Sequence, residues 1–260
     1  MLLLTLVGSQ AQPPAIPDEV QRSVHQRVDY GYCPGIVVGL RNASDATYFS
    51  YGRTDLEDGP AVDENTIFEI GSITKVFTAT LLADMAARGE LELTNAIQLW
   101  LPEGISAPTW LGQQITLLHL ASPPSGLPSA PANLAPSDGN NPFAGYSAPQ
   151  MYEFLDSYTL TRAPGALYEY SNFGVGLLGE LLARRAGAAY EALVTTWIAD
   201  ELRLTDTGIH LTPAQQARMA RGHSGVVPIP PFEMDALGAA GDLRSTAKDL
   251  LTFLAGNRGW

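Results

Sequence analysis

Cysteine and lysine are scarce in this 260-residue chain. Cys33 is its one cysteine, which excludes a disulfide within the chain. Only two of the 15 basic residues are lysines, Lys75 and Lys248. Because lysine is so rare here, a lysine that falls in a motif is a candidate for chemistry.

The sequence also lacks the signals of several common protein classes. No run approaches the roughly 20 apolar residues of a transmembrane helix, so no membrane-spanning segment is predicted. Its four histidines have no metal-site spacing, and no Gly-x-Ser-x-Gly elbow of an α/β-hydrolase occurs. The glycines of 174-GVGLLG-179 fit a dinucleotide fingerprint but lie in a helical pattern, which predicts close packing instead. We therefore expect neither a metal nor a cofactor.

Positive charge is in deficit as well. The net charge is −12 and the isoelectric point about 4.6. An anionic surface repels phosphates, so nucleic acid is not expected as a partner. With 45% hydrophobic and 16% charged residues, the composition is typical of a folded globular protein.

The first residues have the pattern of a targeting segment. The stretch 1-MLLLTLVGSQAQ-12 has an apolar run followed by small and polar residues, like the end of a secretory signal without its basic start. We interpret residues 1–17 as a signal remnant or flexible terminus. This predicts a periplasmic or secreted protein.

Periodicity predicts a mixed α and β protein. Residues 18–29 have a helical pattern, and residues 35–42 and 46–52 are predicted to be strands around a turn at Asn42–Asp45. No strand is predicted after residue 230. The fold class is therefore α+β, with an α/β lobe (18–82 and 212–260) and a mostly helical lobe with long loops (83–211).

Most of the remaining segments are predicted to be helices. Ser147 with Gln150, and Thr212 with Gln215, form capping-box patterns, and Ser245 is predicted to cap the last helix. Other predicted helices cover 172–187 and 189–202, and one after Ile70 has an apolar stripe of Val76, Phe77, Leu81, Leu82 and Met85.

The spacing of Ser72 and Lys75 indicates a nucleophile with its base. Residues three apart share a helix face, and a serine hydroxyl needs a base to become a good nucleophile. A position at a helix start also favours developing negative charge. Ser245 and Lys248 share this spacing, and we interpret them as a helix cap and a solvated lysine. Tyr170 adds a phenol that can relay protons, and Asn172 adds an amide that can bind a carbonyl group or orient the lysine.

Four blocks in order resemble one family. They are 68-FEIGSITK-75, 125-SGLP-128, 164-PGALYEYSNFGVGLLG-179 and 238-GAAGDLRSTAKDLLTF-253. Together they are similar to the serine β-lactamases and penicillin-binding proteins, in the class C-like branch with D-alanyl-D-alanine peptidase and esterase relatives.

That resemblance implies a β-lactamase/transpeptidase-like fold and a role for each matched residue. Ser72 becomes the acylated nucleophile and Lys75 its base, and Tyr170 relays a proton. Asn172 contacts substrate and Lys75, and the Ser72 backbone N–H provides half of the oxyanion hole. The implied substrate is a β-lactam, an ester or a D-Ala peptide.

The chain departs from the family pattern in two places. The family's third motif, Lys-Thr-Gly or His-x-Gly, follows the last block, whereas 223-HSG-225 precedes it and is predicted to be a helix end running into a loop. The stretch 122-SPPSGLP-128 also lacks the His-Thr pair of relatives. We therefore expect a C-terminally truncated chain with an incomplete sheet, weak catalysis, and self-association or complementation by C-terminal strands.

Two other interpretations of function remain open at this point. The chain could be an esterase or a D-Ala-D-Ala carboxypeptidase of the same family. It could also be a non-catalytic ligand-binding or scaffold fragment. Covalent labelling of Ser72 separates the enzyme from the scaffold.

Overall fold

The fold is described from a computed structural model for residues 12–122, 124–135, 139 and 141–257. Residues 1–11 of the predicted signal remnant (1–17), Pro123 of the stretch 122–128 and the last three residues lie outside this range. The helices are α1 (Asp18–Asp29), α2 (Thr74–Ala87), α3 (Leu117–Ala121), α4 (Ala148–Ser157), α5 (Asn172–Ala186), α6 (Tyr190–Val194), α7 (Asp200–Leu202), α8 (Pro213–Gln216) and α9 (Ala247–Asn257).

The strands are short and pair two by two. They are β1 (Gly35–Arg41), β2 (Ala46–Gly52), β3 (Ile67–Glu69), β4 (Thr109–Trp110), β5 (Gln113–Gln114), β6 (His223–Ser224), β7 (Val227–Pro228) and β8 (Arg244–Thr246). The pairs are β1 with β2, β3 with β8, β4 with β5 and β6 with β7. No described helix is long and apolar enough to cross a membrane.

The predicted ribbon of β1 and β2 is confirmed. Its antiparallel register runs from Gly35 opposite Gly52 to Arg41 opposite Ala46. The Asn42 side-chain oxygen accepts hydrogen bonds from the backbone N–H groups of Ser44 and Asp45 and so fixes the turn. Every residue of both strands stays at least partly exposed.

Two predictions about strands are wrong. β8 follows residue 230 and pairs antiparallel with β3, which places Arg244 opposite Glu69. The stretch 223–225 is not a helix end, because β6 and β7 form a small hairpin there. Gly225 has φ +62° and supplies the left-handed turn residue.

Several predicted helices and caps are confirmed. α1 has the predicted bounds, and the capping boxes of Ser147 with Gln150 and Thr212 with Gln215 begin α4 and α8. The last helix is capped differently, because Thr246 rather than Ser245 accepts the Asp249 backbone N–H at 3.0 Å. The segment 189–202 is helical but includes a π-helical turn at Thr195–Ala199.

The core surrounds α2 and α5. Four of the five residues of the predicted α2 stripe are buried, but Val76 is 51% exposed, so its assignment to the buried stripe is wrong. Next to α5 lies a 3₁₀ turn, Asp235–Ala240.

The glycines of α5 allow this turn to approach closely, as predicted. A methyl group at Gly179 would lie 2.1 Å from Ala239 Cβ, and one at Gly176 would lie 2.6 Å from Leu237 Cδ2. Gly174–Gly179 therefore serve packing between α5 and the turn. The division of the chain into two lobes stays a prediction.

Candidate active site

Ser72 lies exposed in a short 3₁₀ turn, Gly71–Ile73, directly before α2. Gly71 enters this turn with φ +49°, a conformation that glycine adopts without steric cost. The Ile70 N–H donates to Leu243 O at 3.0 Å, and the Leu243 N–H donates to Thr74 Oγ1 at 3.1 Å. The start of α2 is thus held against Leu243, the residue directly before β8.

Three of the predicted site residues lie together. Ser72 Oγ is 2.5 Å from the Tyr170 hydroxyl oxygen, and Lys75 Nζ is 3.2 Å from Ser72 Oγ. The Lys75 ammonium also lies 4.7 Å from the centroid of the Tyr170 ring. A hydroxyl, a phenol and an amine therefore share one hydrogen-bonded cluster at a helix start.

The electrostatics of Tyr170 favour proton transfer. Partial burial pushes the pKa of its phenol upward, but hydrogen bonds with Lys75 and Ser72 and the charge of Lys75 outweigh this effect. The pKa of Tyr170 is therefore lower than its ordinary value. A phenol with a lowered pKa exchanges protons more readily near neutral pH.

Asn172 is not joined to this cluster by a hydrogen bond. Its backbone N–H donates to Ser129 O at 3.1 Å, and in the described part of the chain its side chain forms no hydrogen bond to Lys75. The neighbouring Ser171 caps α5 by accepting from the Gly174 N–H at 2.8 Å, and it donates to Pro128 O at 2.6 Å. The SGLP stretch thus anchors the segment that carries Tyr170.

The acceptor of Lys75 was not predicted from the sequence. Lys75 Nζ donates to the backbone oxygen of Ala240 at 2.6 Å. One helical turn further along α2, Thr78 Oγ1 donates to Ala239 O at 2.7 Å. The block 238-GAAGD-242 was part of the recognised pattern, but a backbone oxygen has no side-chain signature that could reveal its role.

The second serine–lysine pair lies elsewhere. Ser245 is 1% exposed on β8, and its hydroxyl is 2.8 Å from Thr207 Oγ1. Lys248 is exposed on the first turn of α9. Ser245 is thus buried while Lys248 faces solvent. Among the described residues, no cluster of three or more His, Cys, Asp or Glu side chains has metal-binding geometry.

Comparison with known proteins identifies the family. The family model described as Beta-lactamase matches residues 20–259. The chain belongs to the β-lactamase family. This confirms the resemblance deduced from the four sequence blocks.

Curated relatives match nearly the whole chain. A β-lactamase of Escherichia coli (strain K12) is 29% identical over 259 residues, which cover 99% of this chain and 65% of that protein. The D-alanyl-D-alanine-carboxypeptidase/endopeptidase AmpH of the same organism is 27% identical over 94% of this chain and 63% of its own length. The chain thus spans slightly less than two thirds of these relatives.

Solved structures of β-lactamase-family proteins have the same fold. A class C β-lactamase from Rhodobacter sphaeroides gives a TM-score of 0.80 at 27% identity, over 94% of this chain and 66% of that one. A β-lactamase/D-alanine carboxypeptidase from Yersinia pestis gives 0.76 at 25% identity, over 91% and 66%. The predicted α+β, β-lactamase/transpeptidase-like fold class is confirmed.

Proposed function

We propose that this chain is a serine hydrolase that forms an acyl-enzyme on Ser72 and hydrolyses the amide of a β-lactam. The observation that carries the proposal is the contact of Ser72 Oγ with both Tyr170 and Lys75, at 2.5 and 3.2 Å. A serine in contact with a base and a proton relay at a helix start is the arrangement that nucleophilic catalysis requires.

In this mechanism Lys75 in its neutral form accepts the Ser72 proton while Ser72 Oγ attacks the carbonyl carbon. Tyr170 passes a proton to the nitrogen that leaves when the C–N bond breaks. Water then attacks the Ser72 ester, the acyl C–O bond breaks, and Ser72 regains its proton. The Ser72 backbone N–H supports the oxyanion, and Asn172 contacts the substrate rather than the base.

A second substrate class is a D-Ala peptide. It is favoured by the similarity to AmpH, which covers 94% of this chain. A short ester is a third substrate with the same acyl chemistry.

Intact mass spectrometry after exposure to a penicillin tests the proposal. We expect one adduct of the mass of the intact antibiotic, mapping to the peptide with Ser72 and absent in Ser72→Ala. Ser245→Ala is the matched control and keeps the adduct. An adduct that persists in Ser72→Ala contradicts the proposal. So does the absence of both an adduct and hydrolysis with a penicillin, a D-Ala peptide and an activated ester, a result that favours a scaffold.

We also propose that the ribbon of β1 and β2 pairs with further strands, from a second copy or from another segment. Two-stranded ribbons are marginal alone, and the unpaired edge of a strand offers free N–H and C=O groups. Sizing in solution tests self-association: a protein that stays monomeric across the micromolar range contradicts pairing with a second copy. A periplasmic or secreted location stays part of the proposal.

A further inference from the structure

The turn behind Lys75 is closed by a carboxylate. Asp242 Oδ1 accepts the Met234 N–H at 2.8 Å, which links two residues eight positions apart. The Asp242 N–H donates to Gly238 O at 2.9 Å. We call residues 234–242 the carbonyl turn, because it presents two backbone oxygens to α2.

These oxygens contact the two side chains of α2 described above. Ala240 O accepts from Lys75, and Ala239 O accepts from Thr78. Asp242 lies only two residues beyond Ala240, so the bond that closes the turn and the bond to Lys75 share a short piece of backbone. A change at Asp242 is therefore transmitted directly to the oxygen that holds the ammonium.

The carbonyl turn has little room to shift. A methyl group at Gly238 would lie 2.8 Å from Asp242 Oδ2. Gly176 and Gly179 of α5 lie close to Leu237 and Ala239 of the same turn. In such a close-packed setting, a displacement at Asp242 is passed on to the neighbouring backbone.

Asp242 is 7% exposed and lies among charged and titratable groups. Burial raises the pKa of Asp242 to about 6, against the opposing effects of the Met234 N–H and Arg244. Asp235 and Glu233 add repulsion that raises it further, and Tyr190 also lies within electrostatic reach. The carboxylate thus changes charge in the range where enzymes work.

We propose that Asp242 is a positioning residue: its ionised carboxylate holds the carbonyl turn so that Ala240 O stays on Lys75, and its protonation loosens that contact. An ionised carboxylate accepts a shorter and stronger hydrogen bond than a neutral carboxyl group does. The consequence for acylation rests on the proposed function, whereas the coupling between Asp242 and Lys75 does not.

The scarcity of lysine provides a direct test. Protein labelled with ¹³C at lysine Cε gives two signals, from Lys75 and from the exposed Lys248. In a pH titration we expect the Lys75 signal to move with a midpoint near 6, and the Lys248 signal to show no such step. Asp242→Asn removes the step, and Asp235→Asn lowers its midpoint because repulsion of Asp242 is relieved.

This titration needs no substrate, so it decides the coupling even if Ser72 is never acylated. A wild-type Lys75 signal without a step between about pH 5 and 7 overturns the proposal. So does a step that persists in Asp242→Asn. If Asp242→Asn fails to fold, the wild-type and Asp235→Asn titrations still decide the coupling, because a midpoint that Asp235→Asn leaves unchanged also overturns it.

Acylation kinetics give the functional consequence. Asp242→Ala is expected to slow the acylation rate constant about 10- to 100-fold, the effect of misplacing a reacting group, with little change in substrate binding. Asp242→Asn keeps a neutral acceptor for the Met234 N–H, so its rate is expected to lie between those of Asp242→Ala and the wild type, without the step near pH 6. The exposed Asp58→Ala, outside the carbonyl turn, is the matched control and stays near the wild-type rate. A loss confined to binding, or an equal loss in Asp58→Ala, contradicts the positioning role.

Discussion

Helix α5 and the ribbon of β1 and β2 differ in how many of their residues are buried. Ten residues of α5 are buried, whereas every residue of the ribbon stays at least partly exposed. α5 packs against α2 and the carbonyl turn, and Gly176 and Gly179 leave space for that turn.

The proposed chemistry belongs to the buried half of this comparison. Ser72 and Lys75 are at the start of α2, and Tyr170 directly precedes the cap of α5. Ala240 lies in the carbonyl turn. All three segments meet in one packed core, which holds their polar atoms in place. The geometry of the site should therefore depend on α5 and respond little to the ribbon.

The largest effect is expected at Lys75. Lys75→Arg should lower the acylation rate about 10²- to 10⁴-fold, because a guanidinium stays protonated and cannot act as a base. Lys248→Arg is the matched control and should retain the wild-type rate. Stopped-flow acylation by a chromogenic cephalosporin measures both, and near-normal acylation by Lys75→Arg removes lysine from the role of base.

Truncating one side chain in each region tests the comparison itself. Leu178→Ala on α5 should reduce the free energy of unfolding by about 2–5 kcal/mol, because Leu178 is fully buried and leaves a cavity. Val38→Ala on β1 should cost clearly less, since Val38 is half-buried. Denaturant titration gives both values. Equal costs would show that the ribbon is buried in solution, as pairing with further strands requires.

Crowding between α5 and the carbonyl turn should link stability to activity. Gly179→Ala should cost about 1–3 kcal/mol, because the added methyl group overlaps Ala239 and forces the turn to move. Acylation should slow as well, since Ala240 follows Ala239. In the control Gly208→Ala the new methyl group meets its nearest neighbour at 3.4 Å and should change neither property much. A stable Gly179→Ala with a normal rate argues against close packing.

The pH dependence of the free energy of unfolding should also report on the buried carboxylate of Asp242. Because the pKa of Asp242 rises from 3.8 to about 6 on folding, the native state binds this proton more tightly. Its stabilising contribution is complete below about pH 4 and is lost as pH rises through 6. Between pH 4 and 7, the free energy of unfolding of Asp242→Asn should therefore rise by about 2 kcal/mol relative to that of the wild type. A flat difference between Asp242→Asn and wild type over this range contradicts the shift.

The sequence predicted those parts of the fold that have local signals. Asn42 in the ribbon turn and the Ser147 cap of α4 act through neighbours a few residues away, and both appear as predicted. The pairing of β3 with β8 was missed because three-residue strands far apart in sequence have too little periodicity to detect. Val76 was assigned to the core because apolarity alone does not show which face of a helix is covered.

In the candidate site, too, some residues were predicted from the sequence and some contacts were not. Ser72, Lys75 and Tyr170 were found from side-chain chemistry and a family pattern, and the structure brings them together. Their catalytic roles stay predictions. Ala240 was out of reach because its backbone oxygen, rather than its side chain, makes the contact. Among the described residues no hydrogen bond joins Asn172 to Lys75, and the roles of Asn172 stay predictions.

The bond between Lys75 and Ala240 joins residues 165 positions apart. A chain that emerges from its N-terminus, from a ribosome or an export channel, presents Ser72, Lys75 and Tyr170 well before Ala240. Under the proposed function, Lys75 is therefore held in position only after residue 240 is available to fold against α2. Chains arrested between residues 170 and 240 should resist labelling by a penicillin that marks the released protein.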